Sequence, residues 1–188
     1  MRQILNNPFY VFLIKAFGLY FLWYILYELW LHPSGILDHA VITNLIFCAE
    51  EILKFIGYHL IQVPEGPDTV RVLGIDGTHG VWIGDPCNGI SVFALFSGFI
   101  LIFPGPSLAK IWFAPLGVLL IHLVNILRVV GLCVVMKYFP ESLEFNHTYT
   151  FTVIVYCFVF FLWLIWVNKY SGITFNSGSA VKKANQAT

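Results

Sequence analysis

From Phe9 to Leu31 the chain runs almost unbroken through apolar and aromatic residues, a length that crosses the hydrocarbon core of a bilayer, which takes about 20 residues. Three further apolar spans follow, at Ile90 to Phe103, Ile111 to Met136 and about Tyr149 to Val167. The first of these is short and is closed by Pro104-Gly105-Pro106. Inside lipid a segment must satisfy its own backbone polar groups, so such runs leave the helix as the available form. The expectation is an all-α polytopic membrane bundle of about four transmembrane helices.

Composition points the same way. The chain is 59% hydrophobic and 11% charged, whereas soluble domains are about half apolar and roughly a quarter charged. Too little polar surface remains to solvate a compact body of 188 residues. Lys plus Arg and Asp plus Glu both number 10, so net charge selects no partner, and nucleic-acid binding finds no support. The expected surroundings are membrane lipid. The first segment lacks a small-residue cleavage site and reads as a retained anchor rather than a removed signal peptide. Lys15 sits near enough to its end to snorkel.

Between the first two spans the pattern changes twice. Ile36 to Val63 carries Asp38, Glu50, Glu51, Lys54 and His59 among apolar residues at helical spacing. That charge density is costly in lipid, so an amphipathic helix on the surface or plugging the bundle is expected. Val70-Arg71-Val72-Leu73 and Val81-Trp82-Ile83 are strand-like, and Asp76-Gly77 is a hairpin-turn signal. A short extramembrane β-hairpin should deliver the chain to Asp85-Pro86-Cys87. A single membrane-embedded domain is expected over residues 1–170. Residues 171–188, Gly/Ser/Asn-rich with Lys182-Lys183, read as a disordered cytoplasmic tail.

Positive charge sets the orientation. Arg2, Lys110, Lys169, Lys182 and Lys183 should be cytoplasmic, while the Pro140–Asn146 loop, with Glu141 and Glu144, faces outward. On that topology Cys87 lies at the outer start of the second span and His147 at the outer start of the fourth. Arg128 stands roughly 13 Å below the outer end of the third, at 1.5 Å per residue. All three can meet in a pocket just below the outer surface.

Each has a chemical and a plainer reading. A cysteine at a helix N-terminus can be held as thiolate by the dipole and by a nearby arginine; otherwise Cys87 is a loop cysteine of ordinary pKa. Cys48, Cys133 and Cys157 read as packing residues. Arg128 within Val124-Asn125-Ile126-Leu127 and Val129-Val130 must face an interior or cavity, as an oxyanion stabiliser or in a structural ion pair with Glu50 or Glu51. Asn125, on the same helix face, is placed to orient it. His147 is a candidate general acid/base, with Asn146 or Thr148 as helix cap; His122 reads as a hydrogen-bonded interior residue. A metal site of His79, Asp85, Cys87 and His147 is an alternative, although no zinc-type or HExxH spacing occurs and no metal or cofactor is expected. Ala94 and Gly98 form a close-packing surface for another helix.

Pro86-Cys87-Asn88-Gly89-Ile90, Asn125-Ile126-Leu127-Arg128 and Asn146-His147, in that order, resemble the three motifs of the exosortase/archaeosortase family of membrane cysteine transpeptidases. The resemblance covers roughly Gly84 to Asn168. The family commonly has serine where this chain has Asn88, and the short length is similar to the compact bacterial subfamilies. The resemblance implies a cysteine transpeptidase or protease that cleaves C-terminal sorting signals of secreted proteins at the outer face of the plasma (inner) membrane. Cys87, Arg128 and His147 would be catalytic, with Asn88, Gly89 and Asn125 supporting them. It also implies partners: secreted substrates ending in a recognition motif, a hydrophobic helix and a basic cluster. Two other readings compete. One is a non-catalytic membrane assembly or sorting partner in which Arg128 is structural. The other is a transporter using the charges of Ile36–Val63, although no internal repeat supports it.

Overall fold

The computed structural model describes residues 8–62 and 71–172. Arg2, Val63, Asp68, Val70, Lys182 and Lys183 lie outside the described residues, as does the expected tail beyond Gly172. The chain is mostly helical. Three helical stretches are long and apolar enough to cross a membrane: Phe9–Ser34, Ser107–Tyr138 and Pro140–Tyr170.

Helix α1 (Pro8–Trp23) continues through a π-helical stretch, Tyr24–Leu31, and a last turn, His32–Ser34. It stops at Gly35, whose φ of 66° reverses the chain. Helix α2 (Ile36–Ile56) starts at once and buries one stripe, from Asp38 through Ile42, Leu45, Ile46 and Ala49 to Leu53. Its other face carries Lys54, paired with Glu50 and Glu51 at 3.4 and 3.0 Å. The segment is therefore an amphipathic helix packed on the bundle, and it is not among the helices apolar enough to span. It ends seven residues short of the expected Val63, because Gly57 adopts φ 100° and its amide turns back to the Leu53 and Lys54 carbonyls.

The hairpin forms from β1 (Val72–Leu73) and β2 (Val81–Trp82), antiparallel, with Val72 opposite Trp82 and Leu73 opposite Val81. Leu60 bridges to Ile75 alongside them. Asp76-Gly77 does turn the chain, closed by a Thr78 amide to Ile75 carbonyl bond of 3.1 Å. It does not join the strands directly. A type I′ turn needs positive φ at both central residues, and here only the glycine has it, at 80°.

The expected second span is α3 (Ile90–Ile102), whose 13 residues reach about 20 Å, short of a hydrocarbon core of about 30 Å. Phe103 is extended and the Pro-Gly-Pro sequence prevents continuation. Helix α4 (Ser107–Tyr138) has 32 residues, or about 48 Å. Two short turns and a π-helical stretch, Asn146–Thr150, then lead into α5 (Phe151–Tyr170).

Side-chain contacts order these helices. The Lys110 ammonium donates to the Leu101 carbonyl at one end of the α3–α4 pair, and Asn125 meets the turn before α3 at the other. On α5, Phe151 lies against Gly131 and Trp166 against Phe113. On α1, Phe12 meets Phe103 and Leu19 meets Gly98. The small-residue surface on α3 is thus used inside the bundle, at least by Gly98. Gly117 is required by closeness: a Cβ there would stand 2.2 Å from the Phe96 ring.

Two apolar cores result. One joins α2, the hairpin residues Leu73, Ile75 and Ile83, and Ile126, Val129, Val130 and Cys133 of α4. The other joins Phe96 and Ile100 of α3, Ala109, Phe113 and Ile121 of α4, and Val159, Leu162 and Trp166 of α5. The division falls on α4 between Ile121 and Ile126, where Asn125 is buried.

Candidate functional site

The site occupies that division. Gly84 to Gly89 forms a tight turn: the Cys87 amide bonds to the Gly84 carbonyl at 2.9 Å and the Asn88 amide to the Asp85 carbonyl at 3.1 Å. Pro86 suits the start of this 3-10 turn, where its missing N–H costs nothing. The Asn88 side-chain oxygen then accepts the Ile90 amide at 2.8 Å, satisfying a donor at the start of α3.

Three contacts fix this turn from three sides. Arg71 of the hairpin holds the Asp85 carboxylate at 2.7 Å. Asn125 of α4 donates to the Cys87 carbonyl at 2.8 Å. Asn88 donates to the Asp38 carboxyl group of α2 at 2.5 Å. Gly89 makes the second contact possible. Its φ is 85°, and a Cβ there would meet the Asn125 side-chain nitrogen at 3.2 Å and Phe93 at 3.3 Å.

The Cys87 sulfur lies 3.0 Å from His147 Nε2. With the imidazole neutral and its proton on Nδ1, the thiol donates to Nε2. Cys87 is buried, only 9% exposed. Burial pushes its thiol up, while the Arg128 charge and the Gly84 backbone pull it back without overcoming burial. The resting form is thus the thiol. Of the two readings open from sequence, a thiolate held by the helix end and the arginine is disfavoured by this burial, which depends on tertiary packing.

Arg128 is near enough to act electrostatically on both Cys87 and His147. Its Nε is buried and has no hydrogen-bond partner, and among the described residues it makes no salt bridge. Glu50 and Glu51 face Lys54 instead. Asn125 does not orient the guanidinium, since its amide is spent on the Cys87 carbonyl.

His147 is carried by the π-helical stretch, where the Thr152 hydroxyl bonds to the His147 carbonyl at 3.1 Å. Neither Asn146 nor Thr148 is a helix cap, because helical structure already begins at Pro140; Asn146 instead donates back to the Ser142 carbonyl at 2.9 Å. His122 stands apart, with Nε2 2.9 Å from the Asn44 side-chain oxygen. The four-residue metal alternative does not assemble. Among the described residues no group of three or more His, Cys, Asp or Glu could hold an ion, and Asp85 is engaged by Arg71.

Tyr27, His32 and Asp38 around the Asn88 side chain were not singled out from sequence. Asp38 is 1% exposed. Its signal in the sequence is a carboxylate in an apolar stretch, which the solvated charges of the same helix mask. Tyr27 carries no signal among so many aromatic residues.

No family model, no curated protein and no solved structure matches the chain.

Proposed function

We propose that this protein is an exosortase-like cysteine peptidase or transpeptidase, embedded in the plasma membrane with its site at the extracytoplasmic face. The observation that carries the reading is the 3.0 Å approach of Cys87 to His147, with the Arg128 Nε lacking a partner beside them. His147 accepts the thiol proton as the sulfur attacks the scissile carbonyl carbon, and the carbonyl π electrons move to oxygen. Arg128 stabilises that oxyanion in a site of low dielectric. When the oxyanion collapses, the C–N bond breaks, His147 returns the proton to the departing amine, and a thioester remains on Cys87. An acceptor amine then completes transpeptidation, or water completes hydrolysis.

Lengths and charges support the placement. Ser107 to Asn125 spans about 27 Å at 1.5 Å per residue, close to one hydrocarbon thickness. Lys15 and Lys110 are close enough to repel each other, at the end of the bundle away from Cys87, as a cytoplasmic end requires. A cavity of about 400 Å³ between α1, α2 and α3 is lined by Trp23, Ile90 and Gly98. A second of about 600 Å³ between α1, α3 and α5 includes Ser91, one turn beyond Cys87, and Ala94. Such space along α3, beginning at Ile90 and Ser91 three and four residues after Cys87, suits the hydrophobic helix of a secreted substrate whose basic cluster stays in the cytoplasm.

The test uses intact cells and a membrane-impermeant thiol reagent. Labelling that disappears with Cys87→Ala and weakens with Arg128→Ala or His147→Ala is expected. Cys87→Ala should also leave C-terminal anchors of secreted proteins uncleaved while the protein stays in the membrane. Normal processing in Cys87→Ala cells overturns the reading and favours a non-catalytic assembly or sorting partner.

A further inference from the structure

A carboxyl group as buried as Asp38 is costly unless donors surround it. Here two donors and a histidine converge. The Tyr27 hydroxyl donates to Oδ1 at 2.6 Å, the Asn88 amide donates to the same oxygen at 2.5 Å, and His32 Nδ1 lies 3.2 Å from Oδ2. They come from separate parts of the chain: the π-helical end of α1, the turn before Gly35, and the Cys87 turn. The proposed chemistry uses none of them.

The bond to Asn88 has a directional consequence. An asparagine amide can face either way, with oxygen and nitrogen exchanged. With Asp38 accepting from the nitrogen, the oxygen must face the Ile90 amide, which it does at 2.8 Å. That bond sets the backbone one residue after Cys87. Removing the acceptor frees the amide to rotate, and the thiol loses one of three constraints on its approach to His147. A misplacement of about 1 Å at a reacting group can cost on the order of a hundredfold in rate.

We infer that Asp38 is a positioning residue for the nucleophile: by fixing the side chain of Asn88 it holds Cys87 within reach of His147, and through Tyr27 it ties the first helix to that turn. The inference rests on the Cys87–His147 reading, and the experiment separates the two. The full-length protein in detergent micelles is treated with iodoacetamide, and alkylation of the Cys87 peptide is timed by mass spectrometry from pH 6 to 10, with and without His147→Ala. In the parent, His147→Ala should slow alkylation at neutral pH tenfold or more. In Asp38→Ala the same substitution should matter less than twofold, with the pH profile moved to higher pH. Asp38→Asn keeps an oxygen toward Tyr27 and Asn88 and should retain the parental profile. Should Asp38→Ala not fold, Asn88→Ala cuts the same link and carries the same expectation. A folded Asp38→Ala or Asn88→Ala protein that keeps the tenfold His147 effect overturns the inference and leaves the dyad standing. A parent whose alkylation ignores His147 overturns both.

Discussion

The two cores meet on one helix yet differ in what surrounds and joins them. The core of α2, hairpin and distal α4 carries charge on its exterior, in Glu50, Glu51 and Lys54 on α2 and in Lys137 bonded to the Asp76 carbonyl. Its interior is mostly aliphatic, from Ile42 and Leu45 to Val129 and Val130, and its buried Gly74 packs on Gly80 within the hairpin rather than between helices. The core of α3, proximal α4 and α5 is aromatic, built around Phe96, Phe113 and Trp166, and its helices approach through glycine, as Gly117 does at Phe96. Those contrasts match two solvents. In water, burying a Leu or Ile side chain contributes about 1.5–3 kcal/mol. In lipid the tails are as apolar as the side chains, so close packing is the source of attraction and small residues permit it. The Cys87 turn sits at their junction, with Cys87 itself buried at the edge of the first core.

The largest expected effect is at the junction. His147→Ala should slow C-terminal processing by about 10² to 10⁴, the usual share of a general acid/base, without shifting thermal unfolding in detergent; a matching loss of stability would mean that His147 serves the fold and not the chemistry. Next come equal deletions in each core. Leu45→Ala, in the charged-exterior core, should cost about 2–5 kcal/mol. Leu162→Ala, in the aromatic core, should cost visibly less in bilayer-mimicking micelles, because no transfer from water is lost there. Equal losses would break the two-solvent account. Gly117→Ala should destabilise by about 1–3 kcal/mol, since its methyl would overlap Phe96, and Phe96→Leu should relieve part of it in a double-mutant cycle.

The smallest effect is the pH dependence. The Cys87 thiol is pushed up in the folded protein by burial. The folded state therefore keeps its proton where the unfolded chain, with a thiol near about 8.5, has lost it. Stability is full below that value and falls as pH rises toward the folded-state pKa. Unfolding midpoints measured from pH 7 to 10 should decline, and Cys87→Ser should flatten the upper part of that decline. An unchanged slope would place the thiol in a wetter site than its burial implies.

Local physics made much of this legible. Hydropathy marked the three long apolar spans but not that α3 falls short of a fourth; Pro104-Gly105-Pro106 marked the stop after α3 and Gly77 the turn beyond β1, because each depends only on neighbours in the chain. The order of Cys87, Arg128 and His147 was also readable, and with membrane topology it predicted a shared level. Other features were not readable. A helix is recognised by its period, and the period does not say which partner its buried stripe will meet. So the docking of α2 along distal α4, the extension of α4 beyond the Cys87 level and the helical lead-in that removed the cap at Asn146 came from packing.

By itself the sequence determined the helical membrane architecture, the hairpin and three candidate residues in order, since backbone hydrogen bonding and hydrophobicity act over a few residues. Only the tertiary structure brought Cys87 to His147 across 60 residues and Asn88 to Asp38 across 50. It also decided that burial outweighs Arg128 at the thiol and that Asn125 serves the Cys87 carbonyl rather than the guanidinium. Those outcomes depend on distances and dielectric surroundings that exist only once the helices have packed.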